Sequence, residues 1–249
     1  MTHTGDTRLN QITTLWTELR VAHNDADARQ QHARERLLDR YSGAIYRYLL
    51  KSLGDAEAAH DLHQEFVVRF LSGRLKGADP QQGRFREYLK GVLYNLMAEH
   101  RKRCQRQERQ PIEELPEPAV PCVLQQEQDE LFRKSWTREL LSRAWSDLQR
   151  REQETGQWFY TVLRHRSEHP EQRSAEMAEA LSDKLKRRME AATVRKWLER
   201  ARAAFSNYLI DQVLHSLAEP TPEAIAEEFA ELGLLEMVRE TLERRFSRL

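Results

Sequence analysis

Four of the eight prolines in this 249-residue chain fall between Pro111 and Pro121. Proline removes a backbone donor and pushes the residue before it away from helical backbone angles, so no helix should run through that stretch. Elsewhere proline and glycine are scarce, while Ala, Leu, Glu, Arg and Gln are frequent, a mixture that favours helices over sheets. No strand-like alternation of useful length occurs. The expectation is an all-α chain of two small helical domains, joined by an extended Pro-rich linker at 105–130.

Apolar periodicity places the helices on either side. Residues 1–33 carry one amphipathic pattern, Leu9, Ile12, Leu15, Trp16 and Leu19, expected as a helical extension. In a first domain, 34–104, Leu37, Leu38, Tyr41, Ile45, Tyr48 and Leu49 repeat at helical spacing. Gly54-Asp55 ends that helix and caps the next, which turns Ala58, Leu62, Phe66 and Phe70 inward. After a loop at 73–83, a long helix follows with Phe85, Leu89, Val92, Leu93 and Leu96 on one face. A second domain, 131–217, opens with Leu131, Phe132, Trp136, Leu140, Ala144, Trp145 and Leu148. It continues with a short helix near Trp158–His165 and a helix capped by Ser174. A final helix is expected to bury Val194, Trp197, Leu198, Ala201, Phe205, Tyr208 and Leu209. Residues 218–249 are expected to form a separate acidic helical tail.

The formal charge is zero, but it is unevenly placed. From Arg84 to Arg109 eight Lys and Arg residues face three glutamates, and from Glu219 to Glu243 eight glutamates face Arg239. The tail could therefore shield the basic faces or dock a regulator. Cys104 and Cys122 form no CxxC pair, which points to a reducing compartment. No stretch approaches the roughly 20 apolar residues of a membrane span, so a cytoplasmic protein without membrane insertion is expected. No nucleophile elbow, P-loop, HExxH motif or Gly-rich phosphate cradle is present, and His60/His63 and His100/Cys104 supply two ligands each where structural zinc needs four. Neither an enzyme nor a bound cofactor or metal is expected.

Three helix faces carry the polar chemistry. Asp61, Gln64, Glu65 and Val68 lie three and four apart, a face suited to an Arg-rich partner surface, although a merely solvated face fits the same residues. Tyr94, Asn95, Ala98 and Arg101 share a face leading to Arg101-Lys102-Arg103. Such a face can stack and hydrogen-bond unstacked bases while cations meet phosphates; cations at a helix end also answer the macrodipole alone. Ser174 to Leu209 reads as helix, connection, helix, with Arg195, Lys196, Glu199 and Arg200 outward, the shape of a helix-turn-helix or of an ordinary helical hairpin.

Taken together, these motifs resemble the sigma-70 family of RNA polymerase sigma factors, in particular the extracytoplasmic-function (ECF) type. Asp61-Leu62-x-Gln64-Glu65-Phe66 is similar to the core-polymerase-binding helix of that family's second region. Gly83-Arg84-Phe85-Arg86-x-Tyr88-Leu89, then Asn95 and Arg101-Lys102-Arg103, looks like its stretch that melts and reads the −10 promoter element. Val194-Arg195-Lys196-x-Leu198-x-Arg200-Ala201-Arg202 is similar to the end of the fourth region's helix-turn-helix, which reads the −35 element. The long connection through Lys186 to Glu190 and the residue His63 depart from the family pattern.

The resemblance implies a sigma factor with core RNA polymerase and promoter DNA as partners, and an anti-sigma or other regulatory protein as a further one. It implies Asp61, Gln64 and Glu65 for core binding, Tyr94, Asn95, Arg101 and Arg103 for the −10 element, and Arg195, Lys196, Glu199 and Arg200 for the −35 element. A helix-turn-helix regulator that does not bind polymerase, or a helical protein–protein adaptor, are the alternative readings.

Overall fold

The computed structural model describes residues 14–19, 26–75, 83–108 and 122–246. The described residues are all-α, in ten helices: α1 Leu15–Glu18, α2 Ala26–Leu53, α3 Ala56–Leu71, α4 Phe85–Glu108, α5 Cys122–Thr155, α6 Phe159–Glu168, α7 Ser174–Leu185, α8 Ala191–Leu214, α9 Pro222–Glu231 and α10 Leu235–Phe246. None is long and apolar enough to cross a membrane. The chain divides into two compact units, one of Met1–Glu139 with Leu214–Ile225 and one of Leu140–Val213 with Ala226–Leu249.

In the first unit α2 buries Leu37, Tyr41, Ala44, Ile45, Tyr48 and Leu49, the stripe its spacing announces. Gly54 takes a left-handed φ of 69° to stop it. Asp55 then caps α3, its Oδ1 accepting the backbone N–H groups of Glu57 at 2.8 Å and Ala58 at 3.2 Å. α3 buries Ala59, Leu62, Phe66 and Phe70, and α4 buries Phe85, Leu89, Leu93 and Leu96. Expected residues Leu9 and Ile12 lie outside the described residues, but Leu15, Trp16 and Leu19 are buried in this unit. The Trp16 indole N–H donates to the Gly83 carbonyl at 2.9 Å, which docks α1 at the start of α4. The backbone N–H of Phe85 donates to the carbonyl of Ser216 at 3.0 Å, so residues near 216 close the same end.

The largest departure from expectation is α5. The linker expected at 105–130 is helical at both of its described ends; the four prolines themselves lie outside the described residues. α5 begins at Cys122, and its residues through Glu139 belong to the first unit rather than to the second domain. Trp136 stacks on Tyr41 with ring centroids 4.2 Å apart and planes 10° from parallel, and Phe132 meets Tyr48 edge-on at 5.3 Å. The early turns of α5 attach through polar atoms. Gln128 accepts hydrogen bonds from Tyr48 at 3.1 Å and Ser52 at 2.8 Å, and Asp129 lies 3.4 Å from the Lys90 ammonium. Such contacts leave no apolar period in the sequence, which is why 122–130 read as linker.

In the second unit Val162, Met177, Ala178, Leu181, Met189, Val194 and Leu198 form one core, with Trp197 half-buried against it. Tyr208, also expected inside, is half-buried. Ser174 is the first residue of α7 rather than its cap; Arg173 holds the cap position, its N–H satisfied by Glu176 at 2.7 Å. The acidic C-terminal segment is helical but not a free-standing tail. Phe229, Val238 and Leu242 are buried, Ser206 of α8 donates to the Met237 carbonyl at 2.9 Å, and Arg245 pairs with Asp211 at 2.8 Å.

Because Trp136 fills the first unit from outside its expected borders, Trp136→Ala should cost about 3–5 kcal/mol of stability. Denaturant unfolding followed by near-UV circular dichroism measures it; a loss below 1 kcal/mol would mean the ring is not part of that core.

Candidate functional site

On α3 the buried stripe of Leu62, Phe66 and Phe70 leaves the opposite side to solvent. Asp61 and Gln64 are exposed there, and Val68 is 59% exposed, one of only two large apolar side chains so exposed among the described residues. The face therefore holds an acid, an amide and an apolar group at positions 61, 64 and 68, the spacing of one helix face.

Glu65 behaves differently. Its carboxylate receives Arg69 from one turn on and Arg103 of α4, the latter at 2.8 Å, and Arg69 reaches Glu99 of α4 at 2.9 Å. These four residues form a ladder that ties α3 to α4. Hydrogen bonding from Arg103, reinforced by the charge of Arg69 against a cost of burial, holds the Glu65 carboxyl below the ordinary carboxylate range. The structure thus joins two residues the sequence assigned to different partners, Glu65 to polymerase and Arg103 to DNA. The spacings Glu65/Arg69 and Glu99/Arg103 are visible in the sequence as i,i+4 pairs; that Arg69 and Arg103 each reach the glutamate of the other helix is not.

On α4, Asn95 and Arg101 are exposed. Tyr94 is half-buried, and its hydroxyl donates to the Gln125 carbonyl at 3.2 Å and lies 3.4 Å from Asp129, both on α5. Burial first, then the Asp129 carboxylate, pushes its ionisation up to about 12. Tyr94 is fastened by its hydroxyl, leaving the ring and not the O–H for a ligand. The neighbouring His63 is half-buried, bonded to Ser42 Oγ at 2.8 Å and set edge-on to Tyr46, and burial lowers its pKa.

In the second unit α7 and α8 are joined by residues 186–190. Arg195, Lys196, Glu199 and Arg200 are all exposed on α8 at positions that share one side. Arg195 and Glu199 also border a cleft of about 910 Å³ whose lining includes Leu198, Phe205, Met237 and Glu240. Two glutamates of the acidic segment pair within their own helix, Glu236 with Arg239 and Glu240 with Arg244, each at 2.5 Å.

The Glu65 ladder has a pH signature. A depressed carboxyl pKa stabilises the fold above the unfolded-state value, and that contribution is lost as pH falls through the folded value. Glu65→Gln should lower unfolding free energy at pH 7 by about 1 kcal/mol, since the partners are partly exposed. The gap between variant and parent should close below about pH 4. A gap unchanged down to pH 3 would place the effect elsewhere.

The chain matches no curated protein and no solved structure. Residues 37–107 match the family model described as Sigma-70 region 2, a segment that takes in α2 from Leu37, all of α3, and α4 as far as Gln107.

Proposed function

We propose that this chain is a cytoplasmic sigma factor of the ECF type, which binds core RNA polymerase and directs promoter-specific initiation. The observation that carries the reading is that the segment matching Sigma-70 region 2 presents, on α3, an exposed acid, amide and valine at Asp61, Gln64 and Val68. An apolar contact flanked by hydrogen-bonding groups is the makeup of a protein interface core and its rim. Glu65 acts from behind this face, holding Arg69 and Arg103 and so fixing α3 against α4.

On this reading the −10 element is met by α4. Asn95 and the ring of Tyr94 contact unstacked bases, and Arg101 and Arg103 neutralise phosphates, Arg103 exchanging Glu65 for the strand. The −35 element is read by α8, entering the major groove as the second helix of a helix-turn-helix with Arg195, Lys196, Glu199 and Arg200 toward the base edges. Bond making belongs to the polymerase.

Reconstitution with core polymerase tests the whole reading: promoter-specific transcripts are expected, and a DNA-binding regulator or an adaptor would yield none. Asp61→Ala with Gln64→Ala should weaken core association by about 10- to 100-fold without unfolding the chain. Undiminished affinity would remove α3 from the interface.

A further inference from the structure

We propose that the turn between α7 and α8 is a clamp for the phosphodiester backbone of duplex DNA, built from Lys186, Arg187 and Arg188. The inference rests on the reading of α8 as a major-groove helix and adds a second, sequence-independent contact beside it.

The turn is a constructed element. Ser182 on the last turn of α7 fastens it. Its carbonyl accepts the backbone N–H groups of Lys186 and, at 3.2 Å, Arg187. Its hydroxyl accepts the N–H of Met189 at 2.8 Å and donates to the Ala178 carbonyl at 2.6 Å. Met189 then drops into the core with Met177, Leu181, Val194 and Leu198. Three cationic side chains stand between these anchors, and all three are exposed. Among the described residues none of the three is held by an ion pair or side-chain hydrogen bond, and the adjacent Asp183 and Glu190 pair with none of them.

Two features separate this from an ordinary solvated turn. Lys186 sits at φ 52°, and it is the only non-glycine residue with positive φ among those described. Glycine takes that helix-ending position without strain, so the chain holds a cation where the backbone favours a residue with no side chain. The helix macrodipole accounts for cations at the end of α7, but Arg187 and Arg188 also approach the start of α8, where the same effect opposes positive charge. A poly-anion outside the chain answers both. The segment that leads into a helix lying in the major groove passes over the strand bordering that groove, and contacts there position a protein without reading bases.

The test uses the full chain assembled with core polymerase, and two probes: a duplex enriched by that complex from a random-sequence pool, and the unselected pool. The triple variant Lys186→Gln, Arg187→Gln, Arg188→Gln should make the slope of log affinity against log salt shallower by about 2–3 on both probes. Affinity should fall by the same factor on each, leaving their ratio unchanged. Arg195→Gln with Lys196→Gln should instead shrink the ratio. A triple variant with unaltered slope overturns the clamp while α8 keeps its role. If the Arg195/Lys196 variant leaves both slope and ratio unchanged, the major-groove reading fails and the clamp falls with it. A triple variant that loses core polymerase and keeps its DNA slope would assign the turn to an acidic protein surface, against the proposal.

Discussion

The stack of Trp136 on Tyr41 is the contact on which the first unit turns. Tyr41 also meets Phe85 at 5.3 Å, and Phe85 meets Trp16 at 5.3 Å, so rings from α1, α2, α4 and α5 share one aromatic cluster. Each ring fixes the orientation of the helix that carries it. The exposed side of α3 is a by-product of that arrangement, because Phe66 and Phe70 must point at the cluster for Asp61, Gln64 and Val68 to point away.

Charged residues in this chain divide into two populations. Glu65, Arg69, Glu99 and Arg103 spend their charge on one another and hold helices in place. Asp61, Arg195, Lys196 and the basic turn at 186–188 are exposed, and a partner would complete them. The distinction explains how a chain of zero formal charge can carry both acidic and basic exposed faces: intramolecular pairing cancels charge at structural positions and leaves it uncancelled at a few surfaces.

Much of this was legible from apolar spacing. Helices α2, α3, α4, α7 and α8 and most of their buried stripes follow from period 3.6, although α3 buries Ala59 where Ala58 was expected, and the Gly54-Asp55 boundary follows from left-handed glycine and an aspartate cap. What escaped was carried by atoms without periodicity. Gln128 and Asp129 attach α5 to α2 and α4 by hydrogen bonds, so a polar stretch read as linker. Likewise the tail read as acidic and separate because its eight glutamates outweighed its apolar residues, among them Phe229, Leu232, Val238 and Leu242, which are buried. At the site, exposure of Asp61 and Gln64 was legible, whereas the tethering of Tyr94 and Arg103 depended on which side chains the fold would bring within reach.

The hydrogen bond from Phe85 to Ser216 sets an order of events during synthesis. Most of the first unit is N-terminal, yet its α4 end is closed by a segment translated far downstream, after most of the second unit. At about 5–20 residues per second the ribosome needs several seconds to travel from Glu139 to Ser216. Until Ser216 is made, the Phe85 N–H lacks the carbonyl it bonds in the folded unit. The two units are therefore interleaved in sequence, and the first has this backbone partner only once Ser216 has been made.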